Sequence, residues 1–225
     1  MMDRLGRNIT YLRISVTELC NLRCRYCMPA EGICKKSHHD MMTEDEIINA
    51  VEAAASLGIT KLRITGGEPL LHADMPEFLA KVKELGFKIK LDTNGSFPDR
   101  LIEIVNAGLV DRVAMDIKNP PELYARTVGL EKLDMEAIER SKNFLLEGRV
   151  EYEFRTTVVK GLHTEESIRQ AAKWIEGAKE YYLQQFKDSG DIIALEGLGA
   201  YGEKEMHELC GAVRPIVPSV EVRGV

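Results

Sequence analysis

The 225-residue chain carries a formal net charge of −6 with no long run of one sign, which argues against nucleic acid as its main partner. Hydrophobic residues make up 44%, enough for a packed core rather than a disordered chain. Neither the polar start MMDRLGRNIT nor any later stretch has the apolar length of a leader or a membrane span, so a cytoplasmic protein with no membrane partner is expected.

In chain order, the first predicted strand is Tyr11–Thr17, and Cys20, Cys24 and Cys27 follow it directly. A helix starts at Thr43, whose capping box is completed by Glu46, and stops at Gly58. The strand Lys61–Thr65 leads into GGEP, and a helix over Met75–Leu85 ends before Gly86, with Asp74 read as its cap. The strand Lys88–Asp92 ends in DTNG and is followed by a helix over Asp99–Ala107. The strand Arg112–Ile117 ends in MDIK, and a helix over Met135–Leu146 follows. The strand Glu151–Val158, a helix over Glu165–Ile175 and the strand Tyr181–Phe186 complete the pattern.

Strands alternating with helices imply a parallel sheet with right-handed crossovers. Within each strand, residues such as Leu62 and Ile64 alternate with Lys61, Arg63 and Thr65. Strands covered on both faces would read as continuous apolar runs. One face here is polar and must line something wet or charged. A full eight-unit barrel needs about 250 residues and an apolar interior. About six units with a polar interior predict an α/β fold, an incomplete, open-sided (β/α)6 TIM-like barrel. The chain reads as a single domain over 1–225, with a core over about 11–190 and a C-terminal extension over about 191–225. An antiparallel sheet with one solvated face is the alternative, which the interposed helices disfavour.

The cysteines are spaced C-x3-C-x2-C in a loop at the C-terminal end of the first strand, where barrels build active sites. An odd total of five cysteines does not suit a secreted disulfide framework. Thiolates select zinc or iron–sulfur clusters. Structural zinc takes four closed ligands, and Cys34, His38 or His39 could supply the fourth. A cubane [4Fe–4S] cluster normally takes four cysteines, so three leave one iron open.

C-x3-C-x2-C with Tyr26 before the last cysteine resembles the cluster loop of the radical S-adenosylmethionine (SAM) superfamily. The resemblance implies that Cys20, Cys24 and Cys27 hold a [4Fe–4S] cluster whose open iron binds SAM, and that a 5′-deoxyadenosyl radical takes a hydrogen from the substrate. Gly66, Gly67 and Glu68 then match the SAM-binding turn, where backbone and carboxylate receive the methionyl ammonium. Without that context, a tight turn explains GGE, and an Asn-Gly turn explains Asn94 and Gly95. Asp116 and Lys118, two apart, share one strand face.

From about Glu68 onward, KLDTNG, VDRVAMDIK, YEFRTTVV and the closing VEVRG resemble the glycyl-radical-enzyme activating enzymes, above all the activator of anaerobic ribonucleoside-triphosphate reductase. That implies a monovalent cation held by Asp92, Thr93 and Asp116, and SAM contacts from Tyr26, Asn94, Lys118 and Arg155. It also implies a glycyl-radical enzyme as protein substrate and a flavodoxin- or ferredoxin-type electron donor. The first 70 residues, including LRISVTELCNLRCRYCMPAEG, instead resemble GTP 3′,8-cyclase, which makes a radical SAM enzyme acting on GTP the alternative. A metal-stabilised binding module is a third reading. Cys34 is read as a free loop thiol, Cys210 and Trp174 as helix packing, and His72, His163 and His207 as loop or surface residues.

Overall fold

The computed structural model describes residue 4 and residues 6–27, 41–187 and 197–225. Cys34, His38 and His39 lie outside the described residues.

Parallel strands run side by side in chain order. They are β1 (Tyr11–Ser15), β2 (Lys61–Thr65), β3 (Lys88–Thr93), β4 (Arg112–Asp116), β5 (Glu151–Lys160) and β6 (Tyr181–Gln185). A short strand, β7 (Gly199–Ala200), pairs antiparallel with the end of β5. The last strand, β8 (Val220–Arg223), adds in parallel beside β6. The sheet path ends at β1 on one side and β8 on the other without closing. The open-sided barrel is therefore present, and the C-terminal extension contributes its seventh parallel strand rather than lying outside it.

The helices are α1 (Glu44–Ser56), α2 (Met75–Glu84), α3 (Pro98–Asn106), α4 (Pro121–Thr127), α5 (Met135–Leu146), α6 (Glu165–Trp174) and α7 (Glu203–Val213). The Thr43–Glu46 capping box opens α1, as the sequence requires. Asp74 occupies the N-cap of α2 but makes no side-chain cap bond. The sequence reading has no helix at α4, which begins at two prolines, Pro120 at the cap and Pro121 at the first helical position. Proline at the cap and first helical position is compatible with a helix, since its missing N–H would be unbonded there anyway. Among the described residues no helix is long and apolar enough to cross a membrane.

The apolar alternates of the strands, among them Ile64, Leu91, Val113 and Phe154, join Val51, Leu79, Leu101, Ile138 and Leu145 of the helices in one core. The polar alternates sit on the other face and pair across strands. Glu153, with a side chain only 1% exposed, receives Lys90 at 2.8 Å, Arg112 at 3.1 Å and Arg223 at 2.9 Å. Arg112 also contacts Glu180. The polar face predicted from sequence is thus an ion-pair lattice whose upper end borders the cysteine loop.

Candidate active site

The cysteine loop is pinned from both sides. On one side Gly67 and Glu68 donate their N–H groups to the carbonyls of Thr17 and Leu19, each at 2.8 Å. A Cβ on Gly66, at φ +142°, would come within 2.3 Å of the Thr17 carbonyl, and one on Gly67 within 2.1 Å of the Leu19 carbonyl. Both glycines are therefore required by the approach of the loop itself. On the other side Arg23 donates to the Val128 carbonyl at 2.9 Å and Arg25 to that of Thr127 at 3.2 Å, at the end of α4. Within the loop the Arg23 guanidinium bonds the Cys20 and Leu22 carbonyls.

This frame turns all three thiols to one cavity of about 130 Å³. Cys20, Cys24 and Cys27 line it together with Thr65, Gly66, Gly67, Asp92, Thr93, Asn94, Asp116, Lys118 and Arg155. Burial pushes the Cys20 thiol up, and Cys24 up to about 11, with the neighbouring cysteines adding to the shift and Lys118 opposing it. Asn94 reaches the loop directly: its Nδ2 donates to Asn21 at 2.9 Å and lies 3.7 Å from the Cys20 sulfur.

The charged wall is a connected chain. Arg63 lies 2.6 Å from Asp92 Oδ2, and Arg155 lies 3.3 Å from the same oxygen. Arg155 also reaches Asp116 at 2.8 Å, and Lys118 reaches Asp116 at 2.9 Å. Burial raises the Asp116 carboxyl, but Arg155 and Lys118 outweigh it and pull it down to about 2. Burial works against the charge of Lys118, and the adjacent Asp116 still holds it well above the ordinary lysine range. All cation contacts to Asp92 fall on Oδ2. Its Oδ1 is buried and has no hydrogen-bond partner among the described residues. Arg155 bridges Asp92 and Asp116, the two carboxylates that the family resemblance gives to a monovalent cation site.

Two predicted site residues stand behind the wall rather than on it. Glu68 is fully buried, and its carboxylate accepts from the Leu70 N–H at 3.0 Å, the Thr93 hydroxyl at 3.0 Å and the Asn94 N–H at 2.6 Å. These bonds tie both oxygens to the turn and to the end of β3, two on Oε1 and one on Oε2. Burial raises the carboxyl to about 7 against those bonds. Tyr26 is 8% exposed, packs edge-on against Phe186 at 6.4 Å and carries Lys118 Nζ 5.7 Å from its ring centre.

Sequence reasoning missed two contributors. Arg63, read only as a polar strand position, clamps Asp92. His163, read as a loop or surface residue, is 1% exposed and bonds the Lys118 carbonyl at 2.7 Å. The signal for Arg63 was its place on the polar face of β2, two residues before Thr65. For His163 the signal was its position just past β5, between Leu162 and the α6 cap Thr164.

The family model described as the radical SAM superfamily matches residues 14–175. GTP 3′,8-cyclase of Alkaliphilus oremlandii is 46% identical over 133 residues, 57% of this chain and 42% of that protein. GTP 3′,8-cyclase of Thermodesulfovibrio yellowstonii is 39% identical over 180 residues, 77% of this chain and 55% of that protein. The likeness to these cyclases therefore runs well beyond the first 70 residues, to which the sequence reading confined it. The chain spans about half the length of the curated relatives it matches. Among solved structures, Streptococcus suis SuiB bound to S-adenosylmethionine covers 96% of this chain and 51% of its own, with a TM-score of 0.77 at 14% identity. Archaeal TYW1 covers 92% and 72%, with a TM-score of 0.57 at 13% identity. With the match spanning β2 to β5 and most of the cavity wall, the chain belongs to the radical SAM superfamily, whose cofactors are a [4Fe–4S] cluster and SAM.

Proposed function

We propose that this chain is the SAM-cleaving unit of an enzyme that removes a hydrogen atom from a phosphate-bearing small molecule, with GTP as the first substrate to test. The observation that carries the reading is the 39% identity to a GTP 3′,8-cyclase over 180 residues, 77% of this chain.

The residues present suit the cofactors. Three thiols from one loop offer soft ligands with no fourth thiol on the cavity among the described residues, and the buried Asp92 Oδ1 offers an acceptor to a ligand that brings a donor. Cys20, Cys24 and Cys27 would hold the cluster, while Asp92, Asn94, Asp116, Lys118 and Arg155 would contact SAM. When bound, the pair supplies one-electron cleavage of SAM and hydrogen-atom abstraction. The protein's part is to orient and shield. Arg155 and Lys118 keep their charge despite burial and suit a carboxylate, and Asp92 suits a hydroxyl or an ammonium.

The sheet supports an anionic substrate. Arg13, Arg63, Lys90 and Arg112 occupy one register row across β1 to β4. Like charges side by side are unfavourable unless compensated. Asp92 compensates Arg63, and Glu153 compensates Lys90 and Arg112. Exposed Arg13 has no ion-pair partner among the described residues, which leaves it for a phosphate. Anaerobic incubation with GTP, SAM and a reductant, followed by mass analysis, tests this. A rearranged nucleotide is expected, and SAM turnover with no new nucleotide rejects it.

A second reading, installation of a glycyl radical on a partner enzyme, is favoured by one observation. Glu153 already neutralises Lys90, Arg112 and Arg223, cations that a triphosphate would otherwise engage. Electron paramagnetic resonance of anaerobic mixtures with glycyl-radical enzymes separates the two readings.

A further inference from the structure

We infer that His163 is a positioning residue that fixes Lys118 at the cavity wall by holding its carbonyl. β5 overshoots the sheet, its last two residues pair with β7, and the chain turns back through Gly161. His163 lies on that turn. Its Nδ1 is 3.0 Å from the Val159 N–H, which can only donate. Its Nε2 is 2.7 Å from the Lys118 carbonyl, which can only accept. The Val159 carbonyl also lies 3.3 Å from Nδ1, a longer contact than the N–H. The network therefore assigns one neutral tautomer, lone pair on Nδ1 and proton on Nε2. Burial pushes the imidazole down, in keeping with that neutral form.

The same turn holds the next residue as well. Asn119 Nδ2 donates to the Leu162 carbonyl at 3.1 Å and to the Thr127 hydroxyl at 2.7 Å. From the far side the Tyr201 hydroxyl, just past β7, donates to the His163 carbonyl at 2.7 Å. A continuous path thus runs from the C-terminal segment through His163 to the backbone of Lys118, whose ammonium lies beside Asp116 in the cavity wall. Lys118 follows the end of β4, so no β4–β5 register pair of its own fixes it.

This inference rests on the reading that Lys118 contacts bound SAM, and three variants separate the two claims. In His163→Asn the side-chain oxygen can still accept from Val159, but nothing reaches Lys118. In His163→Gln the amide nitrogen takes the place of Nε2. Lys118→Met tests the contact itself. Each is measured in anaerobically reconstituted protein by equilibrium dialysis with SAM, alongside its melting temperature and the kcat and KM of SAM cleavage. His163→Asn is expected to raise the SAM dissociation constant roughly tenfold with kcat at saturation little changed, and His163→Gln to recover most of the loss. Wild-type affinity in His163→Asn beside weakened Lys118→Met overturns the role of His163. Wild-type affinity in Lys118→Met overturns the SAM contact instead. Weak binding by His163→Gln, or a melting change in His163→Asn without an affinity change, shows a merely structural residue. Should His163→Asn fail to fold, Tyr201→Phe decides. A rise of about threefold is expected, and unchanged affinity overturns the path.

Discussion

The guanidinium of Arg155 stands between two carboxylates, 2.8 Å from Asp116 and 3.3 Å from Asp92. Asp116 and Arg155 are direct neighbours in the β4–β5 register, so the sheet itself presents the pair to the cavity. Arg155→Gln is predicted to destabilise the fold by about 3 kcal/mol, because the buried Asp92 and the partly buried Asp116 lose a shared cation. It should also weaken SAM binding at least tenfold. Chemical denaturation and equilibrium dialysis read the two effects, and a variant with unchanged values in both would show that Arg63 and Lys118 suffice.

The Glu153 knot makes a prediction about acid. Burial raises its carboxyl, but Arg223 and Lys90 outweigh that and bring it down to about 2. A group that binds protons more weakly when folded stabilises at higher pH. Its contribution is complete above the ordinary 4.5 and disappears as pH falls toward about 2. Asp116 acts with the same sign. Glu153→Gln should unfold more easily at pH 7 by about 3 kcal/mol and show a shallower loss of stability between pH 4.5 and 2. Parallel acid-unfolding curves for variant and wild type would contradict it.

Glu68 has the opposite sign. Its carboxyl is raised to about 7, so its contribution is complete below the ordinary 4.5 and is lost as pH rises through about 7. Melting temperatures measured from pH 4.5 to 8 should fall less steeply in Glu68→Gln than in wild type. An unaltered slope would mean that the three donors around the carboxylate hold it ionised throughout.

The glycine pair offers a steric test. A Cβ on Gly67 would sit 2.1 Å from the Leu19 carbonyl, one residue before the first thiol. Gly67→Ala must push the cysteine loop away, while the β-sheet below has no reason to change. Iron bound after anaerobic reconstitution should drop at least threefold with circular dichroism preserved, at a cost of more than about 1 kcal/mol. Full iron loading in that variant would show that the loop tolerates the displacement.

Much of this was readable in the sequence, for identifiable reasons. Alternation of Leu62 and Ile64 with Arg63 and Thr65 gives a strand with one polar face, and glycines past α1, α2, α3, α5 and α6 mark their ends. Motifs at strand ends, from the cysteines to MDIK, land on one cavity because parallel strands point their C-termini the same way. What the sequence hid was pairing. Glu68 looks like a free carboxylate until Leu70, Thr93 and Asn94 are found around it. β8 was missed because a four-residue strand at the end of a chain carries too little periodicity to separate from a tail. His163 was missed because its place just past β5 does not name its partner, the Lys118 carbonyl 45 residues away at the end of another strand.

The proposed chemistry depends on a cluster held by Cys20, Cys24 and Cys27 with one iron left for SAM. The most direct measurement is electron paramagnetic resonance of the reduced, anaerobically reconstituted chain before and after adding SAM, with Cys24→Ala alongside. A cubane signal that changes shape on SAM addition, and that is absent from a folded Cys24→Ala, is predicted. A signal indifferent to SAM, or a colourless chain loaded with zinc and devoid of iron, would contradict it.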